Sequence, residues 1–218
     1  MFILNASREL NLKNSAYKKA VDLYVWQSYL LDVGKGDVTT DLFVSKKNQI
    51  VKADIIAKEN GILAGVMEAE WFLKKLGIKI TKKRKDGTKF KKGDLIMSLS
   101  GRVDRILAGE RTLLNLLQRM SGVATATSRL ASKLPQSIKL LATRKTFWGE
   151  LDKRAVTIGG GCTHRLNLND AVLIKENHIK FIEDIEKGFK KVNKKKIRFI
   201  EIELENLHQV SAFVVLYK

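Results

Sequence analysis

The stretch Leu140–Ile179, "LLATRKTFWGELDKRAVTIGGGCTHRLNLNDAVLIKENHI", decides the fold. Short apolar runs, "IKLLA" at 138–142 and "AVLI" at 171–174, alternate with helix-compatible segments, and "IRFIEIEL" at 197–204 continues the alternation. Such a pattern is the signature of βα units around a parallel sheet or barrel. The same stretch sets Arg144, Lys145, His164, Arg165, Lys175 and His178 beside runs that look ready for burial. Cations next to a core need a reason, and a polyanionic ligand at its rim supplies one.

Barrel geometry makes that reason specific, because functional groups of a β/α barrel sit just past the C-terminal ends of its strands. Arg144 and Lys145 follow the run ending at Ala142, Lys175 follows the run ending at Ile174, and Glu203 closes "FIEIE". Glu201 and Glu203 alternate with Ile200, Ile202 and Leu204 and so share one face of a strand. His164 and Arg165 follow Gly159-Gly160-Gly161, whose missing side chains let backbone N–H groups and neighbouring cations approach a ligand. The arrangement suits an acidic small molecule. Cations also commonly flank strands without serving a site, and an arginine such as Arg111 on a long helix is more often an exposed salt-bridge partner.

Upstream, the pattern changes near residue 105. Apolar positions from Ser15 to Leu31 recur at three-to-four spacing and predict a helix, followed by a Gly- and Asp-containing loop, "DVGKGDVTTDLF". "VKADIIAKENGILAGV" reads as two strands about Asn60-Gly61, a hairpin signal. "EAEWFLKKLG" reads as a short amphipathic helix, and strands punctuated at Asp86-Gly87 and Gly93-Asp94 follow. Mixed helices and hairpins imply an α+β sandwich. From Asp104 to Leu134 runs one long helical tract that Gly109 and Gly122 interrupt or pack closely, and Pro135, the chain's one proline, stops it. The fold expected is therefore an N-terminal α/β sandwich domain, residues 1–108, followed by a β/α barrel domain, residues 109–218.

Composition bounds the function. The 218 residues, 44% of them hydrophobic, suffice for one large core or two modest ones. One cysteine, Cys162, excludes an internal disulfide, and the N-terminus lacks a signal-peptide layout, so a cytoplasmic protein is expected. No apolar run approaches the roughly 20 residues that span a bilayer. The 41 Lys and Arg against 23 Asp and Glu give +18, which suits solvated surface, nucleic-acid affinity or attraction of small anions. No zinc-finger spacing, RNP motif or basic heptad region favours nucleic acid. Cys162, His164 and His178 match no zinc pattern, and His178 reads as a loop-ordering residue.

The segments "GDVTTD", "AKENGILAG", "GERTLLNLLQRMSGVAT", "ATRKT", "GGGCTHRLNLNDAVLIKENHI" and "EIELENL" occur in one order over nearly the whole chain. In that order the chain resembles the quinolinate phosphoribosyltransferases, also called carboxylating nicotinate-nucleotide pyrophosphorylases. The resemblance implies the sandwich-plus-barrel fold, a head-to-tail homodimer, and transfer of phosphoribosyl from phosphoribosyl pyrophosphate to quinolinate. Decarboxylation then gives nicotinate mononucleotide, pyrophosphate and CO2 for NAD biosynthesis, with Mg2+ accompanying the donor.

It also implies roles. Arg144 and Arg165 hold the carboxylates with His164 beside them, and Arg111 reaches the neighbouring subunit's site. Lys145 and Lys175 meet the donor's phosphates and the developing pyrophosphate, and Glu203 binds ribose hydroxyls directly or through the metal, a task Glu201 could equally serve. Lys145 and Glu203 are thus the catalytic candidates. Two departures stand out. After "TRKT" the family has Thr-Pro-Gly-Leu-Arg where this chain has Phe147-Trp148-Gly149-Glu150-Leu151, about two residues shorter. Family members also continue through further barrel strands, a second acidic residue and Gly-rich phosphate loops beyond the position of Lys218, so the barrel is expected to lack its C-terminal part, with an unpaired strand edge and reduced stability or obligatory association. The alternatives are a related pyrophosphorylase for another acidic heteroaromatic substrate, and a catalytically silent basic protein that binds nucleic acid or protein partners.

Overall fold

The computed structural model describes residues 4–192, 197–207 and 210. Cα packing divides the chain into two compact units, residues 7–163 and residues 1–6 with 164–218. The first opens with a 3-10 turn, Ser7–Glu9, and helix α1, Ser15–Val21, whose cap Asn14 accepts the N–H groups of Ala16 and Tyr17. The helical course continues through a π-helical turn, Asp22–Trp26, into α2, Gln27–Val33, so the periodic stretch is helical throughout. The "GKGDVTTDLF" loop is shorter than its composition predicts: Asp37 accepts Thr40 N–H at 3.1 Å and starts a further helix, α3, Val38–Phe43.

Strand β1, Ile50–Ile56, does not turn back on itself at Asn60-Gly61, and the expected hairpin is absent. β1 pairs antiparallel with β5, Leu95–Arg102, while β2, Gly61–Ile62, pairs with β4, Lys89–Phe90. Gly61 serves close approach instead of a turn, since a Cβ there would lie 2.8 Å from both Phe90 Cζ and Thr125 Oγ1. Strand β3, Lys79–Lys83, flanks the other side of β5, giving the antiparallel order β1-β5-β3. True turns do fall at Gly87 and Gly93, with φ of +81° and +90°.

Helices α4, Val66–Lys75, and α5, Val103–Ala131, supply the core of this unit. Phe72, Leu73, Met97, Leu116 and Met120 are buried there, each stabilising the fold by roughly 1.5–3 kcal/mol. Helix α5 runs unbroken through Gly109 and Gly122. At Gly109 the missing Cβ, which would lie 2.6 Å from Leu76 Cδ1, lets α5 close on α4's flank. Residues 108 and 109 lie in the second turn of this helix. Helix α6, Gly149–Ile158, packs against it.

"IKLLA" contributes a single parallel bridge, Leu141 to Cys162, instead of a full strand. The turn at Thr143 on one side and the triple glycine on the other leave room for little more. In the second unit β6, Val172–Ile174, and β7, Ile200–Ile202, pair parallel in the register Val172↔Ile200, Ile174↔Ile202, as the alternation predicts. Helices α7, Glu176–Ile179, and α8, Ile185–Val192, lie between them in sequence. The fold is thus mixed α/β, with several sheets that do not close into a barrel. Lys194-Lys195-Lys196 and most of the helix expected after Glu203 lie outside the described residues.

Candidate active site

In the second unit, the ends of the parallel strands carry the charged pairs. Lys175 directly follows β6 and Glu203 directly follows β7, and Lys175 Nζ donates to Glu203 Oε2 at 2.8 Å. Two residues before Glu203, Glu201 Oε2 lies 2.7 Å from His164 Nε2. The two carboxylates that alternation places on one face therefore engage different side chains. Their side chains remain 43% and 50% exposed, open enough to exchange partners for a ligand.

His164 is held unusually firmly. It is the one described non-glycine residue with a left-handed backbone, φ +54°, a conformation that costs energy and persists where surroundings enforce it. The enforcing contacts are visible: His164 N–H donates to Leu4 O at 2.8 Å, and Arg198 Nη2 donates to His164 O at 2.8 Å. Phe199 meets the imidazole edge-on at 5.1 Å. Arg198 also bonds Asp170, which accepts Leu166 N–H at 2.7 Å and so closes the loop bearing Arg165. Arg165 itself is buried, reaches Ala171 O at 3.5 Å, and forms part of the wall of a cavity of about 710 Å³. His178 accepts Lys175 N–H on Nδ1 at 3.1 Å, ordering the loop as its position predicts.

In the first unit, Arg144 and Lys145 are exposed on the loop between the Leu141 bridge and α6. The Thr143 hydroxyl accepts Lys145 N–H at 3.0 Å, a local turn that presents both side chains outward. Asp152 on α6 accepts the Thr146 hydroxyl and, at 3.4 Å, Trp148 N–H. Arg119 on α5 grips the same carboxylate through Nε at 2.9 Å and Nη2 at 2.6 Å, and this bond raises the Arg119 pKa above its ordinary value. Arg111 is exposed on α5 and, with Tyr24, Ser28, Asp32, Asn115 and Trp148, lines a cleft of about 230 Å³.

Gly159 and Gly161 serve close packing, and Gly160 takes a left-handed backbone with φ +96°. A Cβ on Gly159 would lie 2.4 Å from Ala124 O, and one on Gly161 would lie 2.6 Å from Val156 Cγ1. Their amides are spent closing α6, with Gly159, Gly160 and Gly161 N–H donating to Ala155, Thr157 and Val156 carbonyls. The sequence reading missed Arg119, Asp152, Asp170 and Arg198. Each lies in or beside a quoted segment, but nothing in local spacing reveals a partner up to 34 residues away.

Among the described residues no cluster of three His, Cys, Asp or Glu is placed to hold a metal ion. No described helix is long and apolar enough to cross a membrane.

The fold is mixed α/β, with paired charges at the ends of its parallel strands. Residues 37–121 match the family profile "Quinolinate phosphoribosyl transferase, N-terminal domain", and residues 123–216 match the corresponding C-terminal domain. A probable nicotinate-nucleotide pyrophosphorylase (carboxylating) of Methanothermobacter thermautotrophicus is 38% identical over 183 residues, 80% of this chain and 65% of that protein. Its counterpart in Bacillus subtilis is 37% identical over 182 residues, 81% of this chain and 62% of that protein. The solved nicotinate-nucleotide pyrophosphorylase of Francisella tularensis superposes with a TM-score of 0.79 at 36% identity, over 91% of this chain and 71% of that one. The chain belongs to the quinolinate phosphoribosyltransferase family. It spans a little under two thirds of the length of the curated relatives it matches, 65% and 62% for these two.

Proposed function

We propose that the chain transfers phosphoribosyl from phosphoribosyl pyrophosphate to the ring nitrogen of quinolinate, with loss of CO2, forming nicotinate mononucleotide and pyrophosphate. The observation that carries this reading is the Lys175–Glu203 pair at the adjoining ends of parallel strands, in a family whose relatives bear that activity in their names. Quinolinate has two carboxylates on one ring, and a planar guanidinium binds a carboxylate through two parallel bonds. Arg144 and Arg165 take these carboxylates, with His164 held beside them by Glu201. Arg111 is assigned to a partner subunit's site in a homodimer.

Lys145 and Lys175 meet the donor's phosphates and the pyrophosphate that leaves. As Lys175 turns to phosphate, Glu203 turns to the ribose hydroxyls. Positioning and charge stabilisation supply most of the rate, and no covalent intermediate is needed. Magnesium bound with the diphosphate would supply neutralisation of its charge. Glu203 and Glu201 are the residues that would hold it, and two accessible carboxylates fit a cation that keeps most of its ligands from water and phosphate.

Calorimetric titration with quinolinate tests the acceptor half. Binding by the chain is expected, weakened by about 100-fold in Arg144→Ala and in Arg165→Ala, the loss of a charge-assisted bidentate bond. Unchanged affinity in both variants, or salt-sensitive nucleic-acid binding without quinolinate binding, would overturn the reading.

A further inference from the structure

We infer that Asp152, held by Arg119, is a positioning residue that clamps the Arg144–Lys145 loop and leaves its cations available to an anion. The significance of those cations rests on the phosphoribosyl-transfer reading, whereas the clamp itself does not. Asp152 is 6% exposed, and its carboxylate closes both ends of the segment that follows the cations, through the Thr146 hydroxyl and Trp148 N–H. Between these anchors Phe147 projects, 80% exposed, so nothing else buries the loop tip.

A buried carboxylate anchoring a loop that carries two cations poses an electrostatic problem. Left alone, Asp152 would attract Lys145 or Arg144 and neutralise the charge that the loop offers. Arg119 removes that competition by occupying both carboxylate oxygens in fork geometry, with its guanidinium 5.3 Å from the Trp148 ring centroid. Among the described residues the side chains of Arg144 and Lys145 accordingly have no hydrogen-bond or ion-pair partner, although an acidic helix turn follows them in sequence. A loop anchored by its backbone and hydroxyl, with its cations unspent, binds an anion without a large ordering cost.

The anchor on α6 is itself fixed. Two residues along, Arg154 Nη2 donates to Asp86 Oδ2 at 2.8 Å and Nε lies 3.4 Å from buried Glu68, contacts that oppose rotation of α6. Asp152 thus works through the loop and touches no reacting atom in this account.

The test is tryptic cleavage after Arg144 and Lys145 in the full 218-residue chain, followed by mass, with other cleavage sites and the thermal midpoint as references. Cleavage of this kind reports the population of the locally open loop. Asp152→Ala and Thr146→Val are expected to speed cleavage at these two bonds about tenfold, the loss of one buried hydrogen bond or more, with other sites unchanged. Thr146→Ser, which keeps the hydroxyl, is expected to restore the original rate. Thr146→Val leaves the Arg119–Asp152 pair intact and carries the test if Asp152→Ala does not fold. Equal rates in Thr146→Val and the parent chain would overturn the proposal. Faster loop cleavage in a chain that makes no nicotinate mononucleotide would support the clamp while removing the transfer reading. Turnover with unchanged cleavage would overturn the clamp and leave that reading in place.

Discussion

At the scale of single residues, the positions that matter most are those where a side chain is missing or strained. Gly159 looks from the sequence like part of a ligand-binding loop, yet the atoms around it belong to α5. Gly159→Ala is therefore expected to lower stability by about 1–3 kcal/mol through overpacking, read as a fall in the urea midpoint with unchanged slope. Quinolinate binding lost at unchanged stability would show that the glycine serves the ligand after all. Arg144 and Lys145 follow the run that forms the Leu141 bridge, and Lys175 and Glu203 directly follow β6 and β7 as their apolar runs predict, whereas Arg111, His164 and Arg165 follow no such run. Glu201 and Glu203 were legible as a same-face pair, but not their division of labour. That division depends on His164, 37 residues upstream of Glu201, and on the left-handed backbone that aims it. Glu201→Gln keeps a group that can bond the imidazole and is expected to leave quinolinate affinity within about threefold, whereas Glu203→Gln is expected to slow turnover about 100-fold. The reverse ranking, measured by initial rates and calorimetry, would make Glu201 the ribose ligand.

At the scale of elements, helices were read well and strand partners poorly, for a physical reason. A helix is written in spacing of three and four along its own residues, which is why α4 and the whole of α5 follow from the sequence. Strand pairing is a relation between distant segments. Asn60-Gly61 suggested a local hairpin, but β1 found β5 and Gly61 was needed where β2 passes α5. Helix α6 shows how elements are tied together across the chain: Arg154 joins it to Asp86 and Glu68, and Tyr17 of α1 donates to Glu68 at 2.5 Å. Burial raises the Glu68 pKa above its ordinary 4.5, with Arg154 opposing that shift. A carboxyl whose pKa is raised on folding adds stability that is fully present below 4.5 and is lost as pH rises through the folded value. The stability of the parent chain relative to Glu68→Gln is thus expected to fall as pH rises from 4.5 upward, followed by thermal midpoints at a series of pH values. A pH-independent difference would mean that Glu68 is no more readily protonated in the folded chain than in the unfolded one.

At the scale of the whole molecule, the charge of +18 proved the least informative number in the sequence. Part of it guards an edge: β3 lies at the border of its sheet with Lys79, Lys82 and Lys83 exposed, and charged lysines on an edge strand discourage pairing with other chains. Lys83 is paired with Glu70, and Arg84 bonds Asp94 at 3.0 Å, so some of the basic run is also locally balanced. The functional account rests instead on a few cations at strand ends and on the loop that Asp152 holds. The most direct measurement is formation of nicotinate mononucleotide from quinolinate, phosphoribosyl pyrophosphate and Mg2+ by the purified chain and by its Lys145→Ala variant. The account expects product from the chain and a loss of about 100-fold or more in the variant, the scale of removing one preorganised charge from a transition state. No product from the parent chain, or product formed equally well without Lys145, would contradict it.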